Sequence, residues 1–324
     1  MVNINGLISI NSRPEINMKK AVRTYGAVTL SMIFWAFSFI WFKMANETFR
    51  PLTIVFIRLI LAISILSTYL FVTSSFQKIR KADRKLFFLL ALFEPFLYFI
   101  GESYGLTYVS ATAGSVIIST IPVVATIAAW LIFRERLRII NYAGILLSFI
   151  GIIVFVLKTD GSLSFSVRGL LLLSLAVVSA VGYNLTLSRL VGHYSPVYIV
   201  NIQNLLGAIL FLPIFIIFEV KPLSVTTFTF SDLLPVLALA IFASCGAFIL
   251  FAWSVRNMGI TKANVFTNSI PLFTAVFAFF LVGDKLTFQN LIGMFIVLAG
   301  LFMSQVEHKR KDIDEALLLT GKTA

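Results

Sequence analysis

"SATAGSVIISTIPVVATIAAWLIFRERL", residues 110–137, returns in altered form as "GITKANVFTNSIPLFTAVFAFFLVGDKL" at 259–286. The two segments align without a gap at an offset of 149, and the alignment runs on to residues 152 and 301. Identity in apolar sequence carries little weight by itself. What coincides here is punctuation: Pro122 with Pro271, Asn141 with Asn290, Gly144 with Gly293 and Gly151 with Gly300. Glu135-Arg136-Leu137 falls on Asp284-Lys285-Leu286, preserving acid, base and leucine in order. Further upstream, "PLTIVFIR" from Pro51 lies over "PVYIVNIQ" from Pro196 at an offset of 145, which sets Arg58 against Gln203. The chain reads as one five-helix unit, duplicated.

Composition says where such a unit lives. Apolar and aromatic residues make up 59% of the 324 positions and charged residues 12%, about half the charge of an ordinary soluble protein. The apolar residues fall in long runs, so the expectation is an all-α integral membrane protein. Ten runs are long enough to span, at about 24–43, 53–73, 86–106, 111–133, 140–157, 168–190, 195–218, 233–254, 261–282 and 289–305. The weakest break is "GLTYVSATAG", between the third and fourth. With both termini cytoplasmic, cytoplasmic segments carry 19 Lys and Arg against 6 on the opposite side, as the positive-inside rule requires. Five is odd, so the second unit enters the membrane from the other side and the repeat is inverted. The expected division is a cytoplasmic tail 1–23, a first repeat 24–157, a linker 158–167, a second repeat 168–306 and a cytoplasmic tail 307–324.

The same composition excludes several classes. A net charge of +12 sits in short loops and tails, where it orients a membrane protein; no basic, aromatic-interleaved stripe suggests nucleic acid. Cys245 is the only cysteine and His193 and His308 the only histidines, so no thiolate metal site, hydrolase elbow or H-E-x-x-H appears and no cofactor is expected. "MVNINGLISINSRPEINMKK" has no apolar core of the kind a cleaved signal peptide carries.

Here a resemblance can be named. "FWAFSFIWFK" (34–43), the Pro51…Arg58 pair and the 110–137 stretch, with "SIPLFTAVFAFFLVGDKL" repeating its ending, resemble the EamA family of the drug/metabolite transporter superfamily. The resemblance covers residues 24 to 306 and implies a ten-helix permease with a central cavity between two five-helix halves. It departs at Asp284, where the family motif usually has Glu, and at Ala36, which stands in place of the usual Gly after Trp35. Export of a metabolite or drug from a bacterial inner membrane is what the resemblance suggests.

The candidate site centres on "LFEPFLYFIGESYGL", 92–106. Glu94, Tyr98 and Glu102 fall on one helical face. Counted along a straight helix from Leu86, Glu94 stands about 12 Å in and Glu102 about 24 Å in. Glu94 is therefore a mid-membrane proton-coupling or substrate-contacting acid, or else a hydrogen-bonded helix contact; Glu102 is expected near the outer interface, at the level of a gate. Gly101 and Gly105 suit close helix packing. Arg58, inside the second span, either neutralises Glu94, holds an anionic group or snorkels to the interface. Trp35, Phe39 and Trp253 are candidate cavity walls, with ordinary packing as the alternative. Asn184 and Asn268 are the favoured lining amides, among Asn201, Gln203, Asn204 and Asn264, which also suit interhelical bonding. Pro122 and Pro271 interrupt their spans as hinges or static kinks, their symmetric placement favouring hinges, while Glu135 and Asp284 read as helix-end ion pairs.

These readings make a secondary transporter of a small molecule, amino-acid-like or aromatic, working by alternating access and driven by protons. The partners are the substrate, the lipid bilayer and protons, with a homodimer left open. A membrane sensor or assembly partner without transport is the alternative; an enzyme is not expected.

Overall fold

The structure is a computed structural model and describes residues 18–133, 138–156, 166–283 and 287–304. Glu135 and Asp284 lie outside these. Among the described residues there is no strand. In chain order the long helical segments are α1 (Met18–Ala45), α2 (Pro51–Val72), α3 (Lys81–Tyr108), α4 (Ala111–Ile118 continued by Ile121–Phe133), α5 (Ile139–Val156), α6 (Val167–Leu190), α7 (Pro196–Phe218), α8 (Phe230–Met258), α9 (Ile260–Leu281) and α10 (Phe288–Ser304), with a six-residue helix, Val220–Val225, after α7. Eight are long and apolar enough to cross a membrane; α5 and α10 are shorter apolar helices that abut residues outside the described set. Their outer faces are apolar: Phe280 is 76% exposed and Phe288 78%, an arrangement suited to lipid rather than water.

Local chemistry places the breaks. Pro51 and Pro196 start α2 and α7 at the first helical position, where a missing N–H goes unmissed. The weak break before α4 is real: Ser110 caps α4, its Oγ accepting from the Ala113 N–H at 3.2 Å. The equivalent position, 149 residues on, is Gly259, whose φ of +83° ends α8 in a conformation side chains resist.

The helices pack in a pattern that maps onto itself when each is exchanged for its repeat equivalent. α1 packs on α8 and α9, α6 on α3 and α4, and the equivalents α2/α7, α4/α9 and α5/α10 pack on each other. In two of these pairs hydrogen bonds fix the direction. Thr53, at the start of α2, donates to Glu219 just past the end of α7, and Ser67, near the end of α2, donates to Asn201 near the start of α7. In the other, Asn141 Nδ2, in the first turn of α5, donates at 2.9 Å to the Ser304 carbonyl ending α10; Asn290 Nδ2, opening α10, donates at 2.9 Å to the Phe155 carbonyl near the end of α5. In both of these pairs the equivalent helices therefore run antiparallel.

The α5/α10 contact explains the coincidences in the sequence. A Cβ on Gly144 would strike the backbone of Gly300 and Ser304, one on Gly151 that of Val297, and one on Gly293 that of Phe155. Backbone meets backbone through glycines seven residues apart, the small-residue packing that associates helices where lipid supplies no hydrophobic drive. Asn290→Ala should leave a helix-end carbonyl unserved and lower stability by about 1–3 kcal/mol, read as a lower unfolding temperature in detergent; an unchanged value would make the clamp dispensable. Gly101 and Gly105 act similarly, α3 resting there on the α6 backbone at Leu172, Leu173 and Ala176.

Candidate functional site

Two irregular helices shape the interior. In α3 the turn Leu92–Leu97 is π-helical and Glu94 leaves helical geometry altogether (φ −147°, ψ 120°). Pro95 cannot donate, and its ring fits over Gly207 of α7 while the Phe93 ring fits over Gly182 of α6. In α8 the equivalent stretch Leu239–Ala247 is also π-helical. Such bulges re-aim side chains, and both helices border a cavity between the two halves of the chain. The volume open to water centres is about 50 Å³, several times what one buried water requires.

Most of the predicted residues meet there. Trp35, Phe39, Arg58, Glu94, Tyr98, Glu102 and Asn184 all line the cavity. Glu94 is 6% exposed, and no donor among the described residues reaches its carboxylate. Glu102 does not stand apart at an outer entrance: it is 8% exposed, shares the cavity with Glu94, and accepts from the Tyr98 hydroxyl at 3.0 Å. The straight-helix count gave depth alone, and the cavity extends along α3 from Glu94 as far as Glu102. Arg58 neither snorkels nor pairs at contact distance with either carboxylate. Its Nε donates to Ser244 Oγ at 2.9 Å and its guanidinium lies 4.1 Å from the Phe99 ring centroid.

Two expected lining residues do not line the cavity. Trp253 is two positions, about 200°, beyond Phe251 on α8 and so turns to the opposite face; Phe251 and Phe248 form that wall, their rings 5.0 and 5.3 Å from Trp35. Asn268 is buried behind the cavity because Phe266–Ser269 is a 3-10 turn. With three residues per turn, Thr267 rather than Asn268 follows Asn264 on one side, and Thr267 reaches the cavity. Asn264 accepts from Asn184 Nδ2 at 3.2 Å, and Asn201 bonds across to Ser67 on α2. Pro122 and Pro271 each open the second piece of a broken helix, after the turn at Ser119–Thr120 and after the 3-10 turn respectively. Hydroxyls of Ser119, Thr120, Thr267 and Ser269 bond carbonyls three residues back in these breaks, as irregular backbone inside a membrane protein must.

The EamA-like transporter family matches the chain twice, over residues 23–157 and 167–305. The chain belongs to the EamA-like transporter family. Its similarity to other proteins is broad: an uncharacterized transporter of Archaeoglobus fulgidus is 27% identical over 87% of this chain and 97% of its own length. The uncharacterized transporter YetK of Bacillus subtilis is 25% identical over 91% of this chain and 90% of its own. A solved crystal structure shares the fold, with a TM-score of 0.63 over 89% of this chain and 96% of that one at 14% identity. Together with its apolar helices, membership of the EamA family makes the chain a multi-pass membrane transporter.

Comparing the two EamA segments exposes an asymmetry in the cavity. On α1 and α6, Ser38 and Phe39 correspond to Tyr183 and Asn184; on α4 and α9, Ile118 and Ile121 correspond to Thr267 and Ile270. On α3 the wall carries Glu94, Phe99 and Glu102, whereas the matching wall of α8 carries Phe248 and Phe251. Arg58 has Gln203 as its counterpart, facing Tyr183. Among the described residues, every charged group in the cavity comes from the first EamA segment. Ser244, Tyr183, Phe99, Phe248, Phe251 and Thr267 were missed in the sequence. The signal for Tyr183 was its place beside Asn184; Ser244 had none beyond being a small polar residue in a span.

Proposed function

We propose that this protein is a secondary active transporter that moves a small metabolite across a bacterial inner membrane by alternating access, exporting it in exchange for protons. In this reading residues 24–157 and 168–306 are inverted repeats, the chain crosses the membrane ten times, and both termini are cytoplasmic. The observation that carries it is Glu94, a buried carboxylate without a hydrogen-bond donor, in a cavity between two halves whose equivalent helices run antiparallel in the pairs α2/α7 and α5/α10. Two halves related in this way can exchange conformations and open one site to either side in turn. The end contacts support it. Asp83, at the start of α3, accepts from Tyr194 in the α6–α7 loop at 2.7 Å, and its counterpart Asp232, at the start of α8, accepts from Thr48 in the α1–α2 loop at 3.2 Å. Each half thus holds the first loop of the other, at opposite ends of the molecule.

The test is the purified protein alone in liposomes enclosing a pH indicator, challenged with a panel of small metabolites. Substrate-triggered proton movement, absent from protein-free liposomes, is the expected result. Absence of both proton movement and labelled-substrate exchange would favour a sensor or assembly role instead.

A further inference from the structure

We infer that the cavity is built for a monovalent organic cation, an amine on a flat apolar body, with Glu94 as its counter-charge. This rests on reading the cavity as the substrate site and names what that site takes.

The charges decide it. Two carboxylates and one guanidinium line the cavity among the described residues. The guanidinium donates one of its five N–H groups to Ser244 and lies over the Phe99 ring, so its single positive charge offsets one of the two carboxylates, and Glu102 already accepts from the Tyr98 hydroxyl. Glu94 is left over: 94% buried, lining the cavity, with no donor in reach. A buried carboxylate without a partner is costly, and a ligand ammonium removes that cost while supplying the missing donors. An anionic ligand would instead face two carboxylates against one guanidinium.

The opposite wall suits the body of such a cation. Trp35 meets Phe248 and Phe251 at 5.3 and 5.0 Å, and Tyr183 meets Phe248 at 6.0 Å, giving a continuous aromatic surface that favours both apolar mass and a nearby positive charge. A divalent metal is a poor fit: it needs several oxygen ligands, and no cluster of three His, Cys, Asp or Glu exists among the described residues. A proton and the amine would compete for Glu94, so neither binds while the other is there. The titratable groups facing Glu94 are Arg58 from α2, Tyr98 and Glu102 from α3, and Tyr183 from α6. Cys245 of α8 lies near Arg58, and α7 contributes the amide of Gln203.

Three compounds with the same ring and chain separate the possibilities: phenethylamine (cation), phenylalanine (zwitterion) and 3-phenylpropionate (anion). Binding is measured by calorimetry on the detergent-solubilised protein, without transport. Phenethylamine is expected to bind at least about tenfold more tightly than the other two. Its affinity should weaken as pH falls, approaching about tenfold per unit where Glu94 is mostly protonated. Preference for phenylalanine or 3-phenylpropionate, affinity independent of pH, or saturation by none of the three overturns the inference. Glu94→Gln should remove the preference and Glu94→Asp should retain it; the wild-type ranking decides the matter even if neither variant folds. A silent liposome assay with the cation preference intact would remove the transporter reading alone, whereas a reversed ranking with flux intact would remove only this one.

Discussion

Glu94→Gln is expected to abolish proton movement and slow substrate exchange by about 10–100-fold. Glutamine keeps the volume and shape of the side chain, so the π-helical turn and its seats on Gly182 and Gly207 survive. What it removes is the capacity to carry a charge or a proton. A charge-assisted contact contributes about 1.5–3 kcal/mol, and each 1.4 kcal/mol is a factor of ten, which gives the range. Liposome flux at several internal pH values reads it out. Wild-type rate and pH sensitivity in the variant would leave the carboxylate structural and remove it from any coupling scheme.

A second large effect is expected far from the cavity. Gly144→Leu should cost about 3 kcal/mol or more, the upper end for over-packing, because the added atoms meet the backbone of Gly300, Met303 and Ser304 rather than movable side chains. The α5/α10 pair would separate and both asparagine clamps would lengthen beyond bonding. Gly144→Ala should produce a smaller loss, since one methyl group demands less movement. Recovery of monodisperse protein and its unfolding temperature in detergent test this. Wild-type behaviour of the leucine variant would mean the two helices are not held backbone to backbone.

These glycines and asparagines were legible in the sequence because their role is steric and local: each must sit at a fixed place in a tight helix pair, so the same residues recur 149 positions apart. The mid-span charges were legible too, since ionised groups are rare in apolar helices. What was not legible depended on the extent of the cavity and on helical phase. The cavity runs along α3 from Glu94 as far as Glu102, which a count of depth does not reveal. A 3-10 turn exchanged Asn268 for Thr267, and ordinary α-geometry turned Trp253 outward behind Phe251. The bulge in α8 has no proline inside it to announce it, so Ser244, the partner of Arg58, was hidden among small residues.

The uneven distribution of charge over a two-fold scaffold has a kinetic consequence. If both halves carried the same side chains, the two open states would be related by a two-fold rotation and a ligand would meet identical sites from either face. Here the carboxylates belong to α3 and the facing rings Phe248 and Phe251 to α8, so the two halves offer a ligand different groups. Under the alternating access proposed above, the two faces of the membrane would have different half-saturation concentrations, with any compensating difference in the turnover rates. Such a transporter would rectify in its kinetics while its equilibrium stays set by the gradients alone.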